Sequence, residues 1–336
     1  MENDQSLTLH EEVTCSASLH LLLPDNSSLS VPLPDGILIA DCFILQQWLT
    51  AKRAVTTKEA YGHDIGEFYH FQIQEQNKNT ITRMGLDDLQ AYAACLIAKE
   101  LKPSSQSRKL ACVRSLFSFA AKLRYTPVNT ALLLTLPKVD DRLAERILPE
   151  EDFHKMIDNE PILRDRVILM VLYYGGLRAS EVCSLQWRQF LPRQYDPNFG
   201  ATLSVHGKGG TRYVSVKHVV WNALQDLKQK MIEQGYATSS ESYVFQADPE
   251  QRTKVPTGTM RMHKNTIYKI VKRVAKHAEL KDVSVSAHWF RHGHATYAQA
   301  HGASAVLVKE TLGHKSLATT TKYSHIINND GSGRYL

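Results

Sequence analysis

Apolar residues return every three or four positions through most of residues 37–136, the spacing of amphipathic helices. Ile39, Phe43, Ile44, Trp48 and Leu49 share one face, and Tyr61, Ile65, Phe68 and Tyr69 repeat the pattern between Thr57 and Phe71. A further helix runs from Leu86 to Ile97, with Asp87 and Asp88 at its positive N-terminal end. Another, from Ser104 to Leu123, sets Leu110, Val113, Leu116, Phe117 and Ala120 against Arg108, Lys109, Arg114 and Lys122 on the opposite side. Four or five such helices make a small bundle.

The periodicity lapses over residues 137–150, a charged stretch bracketed by Pro137 and Pro149 that reads as a linker. Pro149-Glu-Glu-Asp then opens a helix, with proline and acids in its first turn. An apolar helix over 163–176 stops at Gly175-Gly176, and the next begins near Ala179 and Ser180. Residues 201–206 and 211–216 alternate as strands do, and Gly207-Lys-Gly-Gly210 between them makes a β-hairpin. Helices are predicted over 217–234, 263–280, 289–301, 303–312 and 317–326. At the other end, Pro24, Pro32 and Pro34 break any long element, so residues 1–36 read as an extended or partly ordered arm, with at most a short strand or helical turn at Leu19–Leu23. The chain is thus mainly α with a small β-hairpin in its C-terminal domain. It divides into an arm (1–36), a helical domain (37–136), a linker (137–150), a second domain (151–326) and a tail (327–336).

Charge changes this picture in one respect. Residues 1–36 carry six acids and no lysine or arginine, which leaves 40 bases and 28 of the 34 acids to the remainder, a net charge of +12. A basic body behind an acidic lead fits a polyanionic partner, and a solubilising surface accounts for it equally well. There is no apolar run of membrane-spanning length and no basic secretory leader. The five cysteines (15, 42, 95, 112 and 183) are odd in number and hold no CxxC pair, which argues for reduced thiols in a cytosol and against a disulfide framework or zinc site.

The candidate chemistry lies between residues 288 and 323. His288, Arg291, His314 and Tyr323 follow one another at intervals of three, twenty-three and nine residues. Histidine and arginine can donate to a charged phosphate oxygen, and a phenol can attack phosphorus. With no metal-ligand set and no nucleotide-binding loop beside them, they point to phosphodiester cleavage through a covalent tyrosine intermediate. Such a reaction needs fixed cationic donors for the phosphate and an acid for the leaving oxygen. Arginine suits the first task and lysine the second.

Each residue by itself also has a plainer reading. Arg178, at the start of a helix, can form a surface ion pair with Glu181. Lys208 can sit on a solvated glycine turn, since its surroundings do not match a Walker loop. His292 and His294 read as satisfied surface histidines, with no acid or cysteine nearby to complete a metal site. Tyr323 can be a core residue with a hydrogen-bonded hydroxyl.

Taken in order, these residues resemble the tyrosine recombinases, the phage integrase family, and most of all its Xer-like members. The resemblance is carried by Gly176-Leu-Arg-Ala-Ser-Glu-Val-Cys-Ser-Leu185, Val205-His-Gly-Lys-Gly-Gly-Thr-Arg-Tyr-Val214, His288-Trp-Phe-Arg-His-Gly-His-Ala-Thr296 and Leu312-Gly-His-Lys-Ser-Leu-Ala-Thr-Thr-Thr-Lys-Tyr323. It covers residues 37–326 and leaves 1–36 outside. It implies a SAM-like core-binding domain and a catalytic domain that together clamp a duplex. It implies that Tyr323 forms a 3′-phosphotyrosyl bond, that Arg178 and Arg291 hold the non-bridging oxygens, and that Lys208 protonates the leaving 5′-oxygen. His288 would accept a proton from the tyrosine or position it, and His314 would donate to the phosphate. The reaction would need no cofactor and no metal. Its partners would be a double-stranded recombination site and three further subunits, identical or from a related recombinase, with exchange through a Holliday junction. The setting implied is bacterial, cytoplasmic and nucleoid-associated.

Two basic helices are candidates for contact with DNA, one through Arg108, Lys109 and Arg114, the other through Lys264, Lys269, Lys272 and Arg273. Most such bases would touch phosphates. Two other functions remain compatible: a type IB topoisomerase-like relaxase, and a catalytically silent DNA-binding regulator. The complete set of six residues argues against the second.

Overall fold

The computed structural model describes residues 18–23, 28–139, 146–207, 210–247, 259–280 and 284–327. The chain divides into two compact units, Met1–Asp141 and Arg142–Leu336.

The first unit is a helical bundle of α1 (Ile39–Thr50), α2 (Val55–Gln76), α3 (Leu86–Ala98) and α4 (Pro103–Lys122). Its core is apolar and aromatic, built on Leu45, Trp48, Phe68, Tyr69, Leu89, Leu116 and Phe117. One carboxylate lies inside it. Asp41 of α1 accepts hydrogen bonds from the Tyr69 and Tyr125 hydroxyls (both 2.5 Å), the Thr80 hydroxyl (2.8 Å) and the Ile81 amide (2.7 Å). Four donors meet the requirement that a buried polar group be hydrogen-bonded, and they tie α1 to α2 and to the segments before α3 and after α4.

Part of the expected arm belongs to this unit. β1 (Ser18–Leu22) and β2 (Ser28–Pro32) pair antiparallel, with Ser18 opposite Pro32. Leu19, Leu21, Val31 and Leu33 are buried against the bundle. The period-two alternation is present in the sequence, but a lone hairpin is marginal and needs a second layer. The bundle supplies that layer through a glycine: a Cβ on Gly62 of α2 would fall 2.5 Å from Val31 Cγ1. Residues 1–17 of the expected arm lie outside the described residues.

The second unit is mixed. α5 (Glu150–Asp158) and α6 (Leu163–Tyr174) precede the short α7 (Ala179–Cys183). A three-stranded antiparallel sheet follows, β3 (Phe190–Pro192), β4 (Phe199–Gly207) and β5 (Gly210–Lys217), in that spatial order. Then come α8 (His218–Glu233), α9 (Lys264–His277), α10 (Ala287–Ala300), α11 (Ala305–Leu312) and α12 (Leu317–Ile327). β3 was not expected, because three residues are too few to show a period. The helix that starts at Ala179 ends at Cys183.

α6 is the central element. Val167 to Tyr173 are buried in succession, as a helix covered on several sides requires. It contacts α5, α7, α8, α9 and α10, while α8 also covers β4 and β5. α10 in turn packs against α6, α11 and α12. This last arrangement gathers the candidate chemistry around one helix.

Candidate active site

The turn from α6 to α7 sets the first side chain. Gly176 has φ +60, and a Cβ there would lie 2.5 Å from Leu312 Cδ2 and 2.8 Å from His294 Cδ2. Only glycine allows both the left-handed backbone and this close approach. The next residue but one, Arg178, is the N-cap of α7. Its amide donates to Glu181 Oε2 (2.9 Å) and its guanidinium to Glu181 Oε1 (2.8 Å), while its side chain stays 40% exposed. The ion pair expected of isolated sequence is present, but its carboxylate is buried and shared.

Arg212 of β5 shares it. Arg212 donates Nη1 to Glu181 Oε1 (2.9 Å) and Nη2 to Oε2 (2.8 Å), and its Nε donates to the Thr311 carbonyl at 2.7 Å. Burial favours a neutral Glu181, but the hydrogen bonds and charges of Arg212 and Arg178 outweigh it and hold the carboxyl below its ordinary range. Arg212 was missed from sequence. The available signal was its register: it shares a strand face with the buried Val214 and Val216. A basic residue on an inward face needs a partner.

Arg291 lies at the centre. It is 2% exposed and donates Nη1 to the Gly176 carbonyl (2.6 Å) and Nη2 to the Leu312 carbonyl (2.5 Å). These carbonyls precede Leu177-Arg178 and Gly313-His314, so one guanidinium fixes two loops that carry candidate residues. Burial, then the charge of Arg178, lowers its pKa to about 9, and it remains protonated at neutral pH.

α12 brings Tyr323 to the same place. Tyr323 is 4% exposed, and its hydroxyl lies 2.7 Å from His292 Nδ1. His314 stacks nearly parallel to the phenol, with ring centres 6.5 Å apart and an interplanar angle of 12°, and its Nδ1 lies 2.9 Å from Thr320 Oγ1. His288, one turn before His292, meets the His292 ring edge-on at 4.4 Å. The surface reading of His292 and His294 is therefore wrong. α10 is enclosed by α6, α11 and α12, so His292 is buried and His294 bonds through Nδ1 to the Tyr173 carbonyl at 2.8 Å. Small neighbours permit the enclosure: a Cβ on Gly293 would fall 2.5 Å from the Phe153 ring.

Positive charge dominates the site. Arg178 and Arg212 both pair with the Glu181 carboxylate, whose charge also acts on Arg291. The histidines respond. Desolvation, then Arg291 and Arg178, lowers His314 to about 4, and the same causes with Arg146 lower His288. Desolvation, then His288, Arg146, Arg291 and His314, lowers His292 to about 3.

Lys208 lies outside the described residues, although the strands flanking it are in register up to Gly207 opposite Gly210. The candidate DNA contacts fare unequally. Lys264, Lys269 and Lys272 are exposed on α9, opposite the buried Ile267, Ile270, Val271 and Val274. Arg114 is half-buried. Arg108 pairs with Asp64, and Lys109 is turned inward between Asp64 (3.0 Å) and Glu67 (2.7 Å) of α2. Arg273 binds Glu160 (3.1 Å) and Asp165 (2.7 Å). Among the described residues, no group of three or more His, Cys, Asp and Glu is placed to hold a metal ion, and no helix is long and apolar enough to cross a membrane.

A bundle followed by a mixed unit with arginines, histidines and a tyrosine around one helix defines a tyrosine recombinase. Residues 146–329 match the phage integrase family, and residues 42–123 match the phage integrase N-terminal SAM-like domain. The tyrosine recombinase XerD of Vibrio vulnificus is 30% identical over 294 residues, covering 84% of this chain and 89% of that protein. The tyrosine recombinase XerC of Anoxybacillus flavithermus is 26% identical, over 80% of this chain and 87% of its own. The chain belongs to the phage integrase family. In fold it resembles the XerH site-specific recombinase in its pre-cleavage complex with difH substrate (TM-score 0.62, 19% identity, 81% of this chain and 77% of that one). It also resembles a lambda integrase dimer bound to a COC′ core site (TM-score 0.63, 14% identity, 87% and 96%).

Proposed function

We propose that this chain cuts and rejoins DNA at specific sites, with Tyr323 as the nucleophile. The observation that carries the reading is the pair of hydrogen bonds from Arg291 to the Gly176 and Leu312 carbonyls, which sets the segments bearing Arg178 and His314 around one guanidinium. Arg178 and Arg291 hold the non-bridging oxygens. The Tyr323 oxygen forms a bond to the 3′-phosphate as the bond from phosphorus to the 5′-oxygen breaks. Lys208 gives that oxygen its proton, His314 donates to the phosphate and His288 positions the reacting groups. Attack by a 5′-hydroxyl on the phosphotyrosine reverses the step. Because one ester replaces another, bond energy is conserved and no ATP is consumed.

The partner is double-stranded DNA. The exposed Lys264, Lys269 and Lys272 are suited to phosphate contact, whereas Lys109 and Arg273 are held by carboxylates of the protein itself. Exchange proceeds through a Holliday junction within a tetramer of this chain, or of this chain with a related recombinase, on nucleoid DNA in the cytoplasm.

The test is covalent capture. SDS-resistant adducts on genomic DNA are mapped, and a nicked suicide duplex carrying the recovered site is incubated with the full chain. The wild type should accumulate an adduct, and Tyr323→Phe should bind the duplex without forming one. A wild type that binds but never becomes attached would overturn the reading. Relaxation of any supercoiled plasmid without exchange between two sites would point to the relaxase instead.

A further inference from the structure

We infer that His292, beside the six residues of the proposed site, is a catalytic residue: its Nδ1 accepts the phenolic proton of Tyr323 as the phosphotyrosyl bond forms. The inference rests on Tyr323 being the nucleophile. The His292 Nδ1 lies 2.7 Å from the Tyr323 oxygen, with both side chains buried, at 7% and 4% exposure. A phenol is a better donor than a neutral imidazole, and an imidazole nitrogen is a better acceptor than a phenol oxygen, so the hydroxyl donates.

The surroundings keep the imidazole neutral. Burial is the largest effect, the guanidinium charges of Arg146 and of Arg291 on its own helix add to it, and His288 and His314 beside it oppose a further proton. A phosphodiester anion between Arg178 and Arg291 would cancel part of that charge and make the imidazole a stronger base. Proton acceptance would thus be coupled to occupancy of the site. In the forward step the tyrosine oxygen bonds to phosphorus, its proton passes to Nδ1, and the 5′-oxygen leaves with a proton from Lys208. Rejoining returns the His292 proton to the tyrosine.

The experiment measures single-turnover adduct formation on the nicked suicide duplex with the full chain. His292→Asn keeps an acceptor near the Nδ1 position but cannot take a proton. It should bind the duplex like wild type and cleave it slower by on the order of 10²-fold, the usual scale of general-base catalysis. With 3,5-difluorotyrosine at position 323, whose phenol is more acidic, the variant should recover much more of its rate than the wild type gains. Cleavage by His292→Asn at the wild-type rate or faster would overturn the inference, and so would a defect that fluorination leaves unchanged. Should the variant fail to fold, ¹⁵N NMR of the wild-type imidazoles decides: His292 must carry its proton on Nε2, and a protonated Nδ1 overturns the assignment. A wild type that binds yet forms no adduct would instead sink the recombinase reading on which the inference rests.

Discussion

Arg212 and Glu181 are joined by two parallel hydrogen bonds of 2.9 and 2.8 Å, with 10% and 6% of their side chains exposed. The pair links β5, which begins two residues after Lys208, to the helix turn that presents Arg178. Through the bond from Arg212 Nε to the Thr311 carbonyl it also reaches the segment leading to His314. A bidentate guanidinium sets both distance and orientation, which one ammonium cannot do.

Arg212→Lys should therefore leave a folded protein with misplaced catalytic groups. Single-turnover adduct formation should fall by on the order of 10²-fold, the cost of about an ångström of misplacement, with a much smaller loss of duplex affinity. Arg212→Ala should also destabilise the chain by about 3–5 kcal/mol, because it removes one partner of a buried charge pair. Urea denaturation and suicide-duplex kinetics separate the two effects, and an Arg212→Lys variant with wild-type kinetics would refute the positioning role.

Lys208→Ala should cleave a normal duplex slowly, because the 5′-alkoxide is a poor leaving group without an acid. A bridging 5′-thio substitution leaves readily without a proton and should rescue this variant. Rescue of an Arg291 variant but not of Lys208→Ala would reverse the assignment.

Stability should decline in mild acid. His292 is lowered to about 3 and both His294 and His314 to about 4, against 6.5 for the free side chain. Below the unfolded value the unfolded chain binds protons that the folded chain refuses, so the contribution is complete above pH 6.5 and is lost as pH falls toward 4 and below. For the buried His292 alone the loss is about 2 kcal/mol by pH 5. Urea midpoints followed by tryptophan fluorescence would show it, since Trp187, Trp221 and Trp289 all lie in the second unit. A midpoint unchanged between pH 7 and 5 would contradict the assignment.

Leu21→Ala should destabilise the helical unit by about 2–5 kcal/mol, as for other fully buried leucines. Leu21 is 1% exposed beneath the β1–β2 hairpin. A change within about 0.5 kcal/mol would mean that the hairpin is only loosely attached, as surface substitutions away from packed features are.

Local sequence already determined much of this protein. The helices of both units, the β4–β5 hairpin and the order of the site residues follow from short-range periodicity, capping and motif spacing. These depend on backbone geometry and on neighbours three or four residues away. Only the tertiary structure decided which polar side chains are enclosed. His292 and His294 carry no local mark of burial, yet α6, α11 and α12 surround the helix that bears them. Lys109 looked like part of a basic surface until Asp64 and Glu67 of another helix turned it inward. The Glu181–Arg212 pair spans 31 positions and the Arg291 bond to Gly176 spans 115. Such pairings arise when packing removes water from charged groups and leaves them to find one another, and no periodicity along the chain records that partner.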